Sequence, residues 1–97
     1  MGVLFHRLIK KDLRTALAYY DAAGGEKLGD HFFAEVEAIV DKARENPRRF
    51  HFVAEGLRRA PLKSFPYHFL YEERNALVRF LVLRHDSHHP RFGLGRR

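Results

Sequence analysis

The apolar pattern of this chain changes its period once, at Asn46-Pro47, and that change limits what the chain can fold into. Ahead of it, apolar residues recur at spacings of three and four, the mark of one helix face. Behind it, they come in short runs rich in β-branched and aromatic types, bounded by Pro, Gly and Asn, which is the mark of strands. Proline lacks an amide donor and pushes the residue before it out of helical geometry, so the helical region must stop there.

Within those limits the elements can be placed. Residues 3–9, Val-Leu-Phe-His-Arg-Leu-Ile, predict a first strand. From Lys10 the spacing of Leu13, Ala16, Leu17 and Tyr20 predicts a helix, ended by Ala22-Ala23-Gly24-Gly25. A second helix is predicted from Glu26 to Glu45, its stripe made by Leu28, Phe32, Val36, Ile39, Val40 and Ala43. So short a connection implies an antiparallel two-helix hairpin. Arg49-Phe50-His51-Phe52 and the Glu55-Gly56 turn read as irregular, and strands follow at Leu57 to Phe65, Tyr67 to Glu72 and Leu77 to His85, with a hairpin turn at Glu73-Arg74-Asn75-Ala76. The expectation is an α+β fold: an N-terminal strand, a two-helix hairpin, then a three-stranded antiparallel meander with the helices on one face of the sheet. Residues 1–92 are expected to form a single domain and residues 93–97 a loose tail.

Composition narrows the class further. At 97 residues the chain has the size of one domain, and its nine Phe and four Tyr rule out a wholly disordered segment. The absence of cysteine excludes disulfides, thiolate nucleophiles and Cys-ligated zinc. No apolar run is long enough to cross a bilayer and no signal peptide is apparent, so a cytoplasmic protein is expected, with no membrane partner. Charge is divided unevenly: residues 1–47 hold seven Lys/Arg against eight Asp/Glu, whereas residues 48–97 hold eleven against four. The second half is therefore suited to an anionic partner, either nucleic acid or an acidic protein segment.

The order of elements, together with Gly56-Leu57-Arg58-Arg59, Phe65-Pro66-Tyr67-His68-Phe69-Leu70-Tyr71 and Val82-Leu83-Arg84-His85 followed by Pro90, resembles the RelE/ParE superfamily of type II toxins over nearly the whole chain. The resemblance implies a small bacterial toxin held in check by a cognate antitoxin through an acidic or amphipathic C-terminal segment. It divides on mechanism. RelE-like members cut messenger RNA in the ribosome, ParE-like members inhibit DNA gyrase without nuclease activity, and a homologue can retain antitoxin binding alone. Metal-independent RNA cleavage needs a base for the ribose 2′-hydroxyl, cations for the phosphate and an acid for the leaving oxygen. No cofactor is implied.

Residues can be matched to those roles. Arg58, Arg59 and Lys63 on the first hairpin strand are candidates for phosphate or antitoxin contact, as are Arg84, Arg91 and Tyr67. His68 stands where many RelE-like nucleases carry arginine, and His85 matches the family's terminal histidine. With Arg58 these are the catalytic candidates. The family's C-terminal tyrosine has no counterpart, Phe92 being the nearest aromatic. His85, His88 and His89 around Asp86 lack the spacing of a metal site, and none is expected.

Overall fold

A computed structural model describes all 97 residues. In chain order it contains β1 (Gly2–Phe5), α1 (Ile9–Glu45), β2 (Phe52–Ala54), β3 (Leu57–Pro61), β4 (Tyr67–Arg74) and β5 (Leu77–His85), then a 3-10 turn at Leu94–Arg96.

The helical part corrects the expectation of two separate helices. It is one 37-residue segment with no intervening loop, and a single residue inside it, Gly25, leaves helical geometry (φ 78, ψ −176). Only glycine adopts that conformation readily, because a Cβ would clash with the backbone there. A straight helix of that length would run about 55 Å, but the longest dimension of the molecule is 39 Å. α1 is therefore sharply bent at Gly25, and the Tyr20 and Phe32 rings from its two arms stack with centroids 5.0 Å apart.

The sheet differs as well. It has five strands in the order β1-β5-β4-β3-β2 and is mixed, not a three-stranded antiparallel meander. β1 runs parallel to β5, with Gly2 opposite Leu77 and Phe5 opposite Phe80, the long crossover being supplied by α1. β1 stops four residues short of its expected end, because the His6 ring Nδ1 accepts the Leu8 amide and turns the chain into α1. The extra edge strand β2 pairs with β3 through Phe52 opposite Arg58, with a register shift between Phe52 and Ala54. The hairpin between β4 and β5 is tighter than expected: Arg74 pairs with Leu77, leaving Asn75 (φ 53) and Ala76 (φ 61) as a two-residue turn with both φ positive.

Side chains alternate across each strand, so the sheet has two differently covered faces. One carries Phe69, Tyr71, Val78, Phe80 and Leu83 against Ala16, Tyr20, Phe32, Val36, Ile39 and Ala43 of α1. The buried Tyr71 hydroxyl donates to the Pro47 carbonyl at 2.7 Å, which ties the end of α1 to the sheet. The other face carries a smaller cluster, Leu57, Leu70, Leu81 and Val82, with Leu94 of the C-terminal turn packed on it. Gly93 (φ 84) lets the chain pass over Val82 so closely that a Cβ at position 93 would lie 2.8 Å from Val82 Cβ. Arg96 completes the cover by donating to Asp12 Oδ2 at 2.6 Å and to Asp12 Oδ1 at 3.1 Å.

Candidate functional site

Register decides which of the candidate residues can meet. β4 and β5 pair Tyr67 with His85 and His68 with Arg84. Neighbouring residues on a strand point to opposite faces, so His68 and Arg84 share the face covered by the C-terminal turn, while Tyr67 and His85 lie on the α1 face. Arg59 of β3, opposite Leu70, joins the His68 face.

On that face a chain of polar contacts crosses three strands. Asp86, just past β5, accepts from Arg59 Nη2 at 3.2 Å and sits 2.7 Å from His68 Nδ1. Arg84 Nε donates to His68 Nε2 at 2.9 Å, and Arg84 Nη1 donates to the carbonyls of Pro90 (2.9 Å) and Phe92 (2.8 Å). An arginine Nε can only donate, so His68 Nε2 must accept, and the ring proton sits on Nδ1 facing Asp86. His68 is 3% exposed and Arg84 9%. Burial lowers the His68 pKa, the hydrogen bond to Asp86 opposes that shift, and the neighbouring Arg59 and Arg84 reinforce it. Burial lowers the Arg84 pKa in the same way. His68 is thus a neutral ring with both nitrogens engaged inside the protein.

His85, on the opposite face, is held differently. Its Nδ1 accepts from the Ser87 amide at 3.0 Å and lies 2.7 Å from Ser87 Oγ, and its ring meets Tyr67 edge-on with centroids 5.0 Å apart. Burial raises the Tyr67 pKa, which keeps its hydroxyl protonated. The next two histidines follow the same habit, His88 Nδ1 accepting the His85 amide and His89 Nδ1 the Arg91 amide, both at 3.1 Å. With Nδ1 accepting, the neutral ring carries its proton on Nε2 and has no lone pair there for a metal. No group of three or more His, Asp or Glu side chains converges to hold an ion.

The remaining candidates lie apart. Arg58 pairs with Tyr71, four residues along β4 from the Tyr67 that faces His85, a separation of about 13 Å at strand rise. Its Nη1 donates to the Phe50 carbonyl at 2.7 Å, and its guanidinium lies 3.8 Å above the Phe52 ring. Lys63 is exposed in the β3–β4 loop, which Glu35 of α1 anchors by accepting the Ser64 amide at 2.8 Å. Arg91 is exposed beyond β5. The fold therefore gathers Arg59, His68 and Arg84 on one face and Tyr67 with His85 on the other, and holds Arg58 at the far end of the α1 face.

A second feature is a groove of about 580 Å³ between the bent α1 and the end of β1. Phe5, Ile9, Leu13, Phe33, Val36 and Val40 give it an apolar floor, with Arg7 and Lys10 on one rim and Glu37 and Asp41 on the other. Phe5 and Phe33 are 51% and 40% exposed, unusual for rings of that size. The sequence does not indicate which residues line this groove, since Phe5 at the end of β1 and Phe33 on α1 meet there only in the folded chain. Nor does it indicate the pairing of Asp12 with Arg96, which no local pattern signals.

No family model matches the sequence, and no curated protein does. Among solved structures, a chain of the chromosomal ParDE TA system from P. aeruginosa is similar at a TM-score of 0.78 and 14% identity, covering 88% of this chain and 95% of that one. At that identity the likeness shows a shared fold: this chain is built on the same architecture as that ParDE-system chain.

Proposed function

We propose that this chain is the toxin component of a bacterial type II toxin–antitoxin module, and that it arrests growth by binding its target rather than by cutting RNA. The toxin reading is supported by the likeness to the ParDE chain across almost its whole length. One observation carries the binding mechanism: the catalytic candidates do not converge. His68 has no free nitrogen, and Arg58 and His85 face different ends of the sheet. Cleavage would need base, acid and cation within hydrogen-bond reach of one phosphodiester. On the ParE-like side of the resemblance the target is DNA gyrase, and a cytoplasmic protein is the localisation proposed with it. No helix is long and apolar enough to cross a membrane.

The cognate antitoxin is the second partner. An amphipathic segment laid along the α1 groove would bury Phe5 and Phe33, and its charges would meet Arg7 and Lys10 on one side and Glu37 and Asp41 on the other. One observation favours the nuclease alternative: the His85 ring beside Tyr67 is held through Nδ1 alone, leaving Nε2 without a partner. Two assays on the same purified protein separate the readings. Gyrase supercoiling is expected to be inhibited, and primer extension on a messenger translated in a purified system is expected to show intact message. Cuts appearing only when ribosomes are present would overturn the binding mechanism and return His85 and Arg58 to catalytic roles.

A further inference from the structure

We propose that the outer edge of the sheet at β2, where Phe52 stands among Arg48, Arg49 and Arg58, is a binding surface for single-stranded nucleic acid. β2 is the last strand of the sheet and all three of its residues are exposed. Phe52 is 58% exposed and Val53 51%, beside each other on an open edge. An isolated exposed phenylalanine needs no explanation, but this one is fixed in orientation. The Arg58 guanidinium lies 3.8 Å from its ring centroid, and Arg58 is itself held by the Phe50 carbonyl at 2.7 Å and the Arg48 carbonyl at 3.4 Å. One face of the ring is thus covered by a cation and the other is open to receive a flat group.

The cations around the ring are largely free. Arg48 has only a distant contact with Glu73, 3.8 Å, and its side chain is 80% exposed. Arg58 gives Nη1 to backbone carbonyls and retains its other donors for an oxyanion. Arg49 extends over the Phe50 ring, 5.9 Å from its centroid. Three arginines and His51 stand here against Glu55 and Glu73. A single strand supplies both groups the patch lacks, a base to stack on Phe52 and phosphates to reach the guanidiniums.

An acidic peptide would satisfy the charge but leave the fixed ring unused. Strand addition to this edge is also disfavoured, because the register shift between Phe52 and Ala54 breaks the ladder such a peptide would extend. The surface lies away from the His68 face and from the α1 groove, so the proposal stands whether or not the toxin reading does.

Fluorescence anisotropy with a short labelled oligo(dT), and with the same strand annealed to its complement, tests it. The single strand is expected to bind more tightly than the duplex. Affinity should fall with salt on a log–log slope of about −0.7 for each phosphate contact. Phe52→Ala is expected to weaken binding at least about fivefold, whereas Phe52→Trp should preserve it and Arg49→Ala should flatten the salt slope. Because Phe52 is exposed, these variants should keep the wild-type circular dichroism. Binding unchanged in Phe52→Ala, duplex preferred to single strand, or a Glu-rich peptide bound in place of the oligonucleotide would each overturn the proposal, and none would bear on gyrase or antitoxin binding.

Discussion

Replacing Arg96 with alanine removes a guanidinium that stands in for a missing strand. β1 stops pairing with β5 at Phe5 opposite Phe80, so the Leu81 carbonyl and the Leu83 amide face a gap where β1 would have continued. Arg96 Nη1 donates to the Leu81 carbonyl at 3.0 Å, and Asp12 Oδ2 accepts the Leu83 amide at 3.1 Å. The two side chains then close on each other, 13% and 7% exposed. Removing one member of a buried ion pair costs about 3–5 kcal/mol, because the other charge is left in poor solvent. Asp12 would keep the Leu83 amide, and water could enter where the guanidinium stood, so the expected loss is about 2–3 kcal/mol. For a domain of this size that lowers Tm by roughly 10–20 °C. Asp12→Asn should cost less, about 1 kcal/mol, since the amide oxygen still accepts from Leu83 and Arg96, carried on a three-residue 3-10 turn, can turn into water. The double variant should therefore be more stable than Arg96→Ala alone, as it no longer buries an unpaired carboxylate. Urea denaturation followed by far-ultraviolet circular dichroism reads all three. A loss under about 0.5 kcal/mol for Arg96→Ala, or a double variant no better than that single one, would show that the pair is a surface contact of the kind that contributes little.

Other perturbations have equally definite signs. His68 and His6 both have pKa values lowered chiefly by burial, so on acidification the unfolded chain takes up protons first; stability should be full above about pH 6.5 and fall below it, and His68→Gln, which can still donate to Asp86 and accept from Arg84, should flatten that acid limb in urea titrations. Gly25→Ala should lose about 1–3 kcal/mol from local backbone strain alone, since no atom outside the adjoining backbone lies within 4 Å of the added Cβ; an unchanged urea midpoint would mean that the bend does not need the φ of 78° seen there. Ala76→Gly should raise stability by about 0.5–1 kcal/mol, because it relieves an L-residue of positive φ in the β4–β5 turn; a lower midpoint would indicate a different turn.

How much of this was legible in the sequence follows from the range of the interactions involved. The end of α1 at Glu45, the beginning of β4 at Tyr67 and the whole of β5 are where the apolar pattern places them, because proline, alternation and a continuous apolar run are local signals. The parallel pairing of β1 was not legible, since Gly2 meets Leu77 only after α1 has carried the chain across. β2 was read as irregular because three residues are too few to show a period. For the candidate site residues, the sequence shows the residue types but not their partners. Arg58 reads as a free cation until Phe50 and Phe52 are placed beside it, and Arg96 gives no hint of Asp12, 84 residues away.

His68 shows most clearly why residue type alone misleads about chemistry. A neutral imidazole has one donor and one acceptor, and a histidine that works on a substrate must keep one of them free. Placing His68 directly opposite Arg84 commits its acceptor, and Asp86 beyond the end of β5 commits its donor. Arg84 is committed in turn to the Pro90 and Phe92 carbonyls, so neither residue can reach a ligand unless the chain after β5 lifts away. We propose on this argument that His68 orders the C-terminal segment rather than transferring a proton. Under the toxin function proposed above, His68→Gln should therefore arrest growth as the wild type would, while His68→Leu, which leaves both Asp86 and Arg84 without their partner, should unfold at lower urea. A His68→Gln protein that keeps its fold and its antitoxin affinity but no longer arrests growth would refute that assignment and make the imidazole itself necessary.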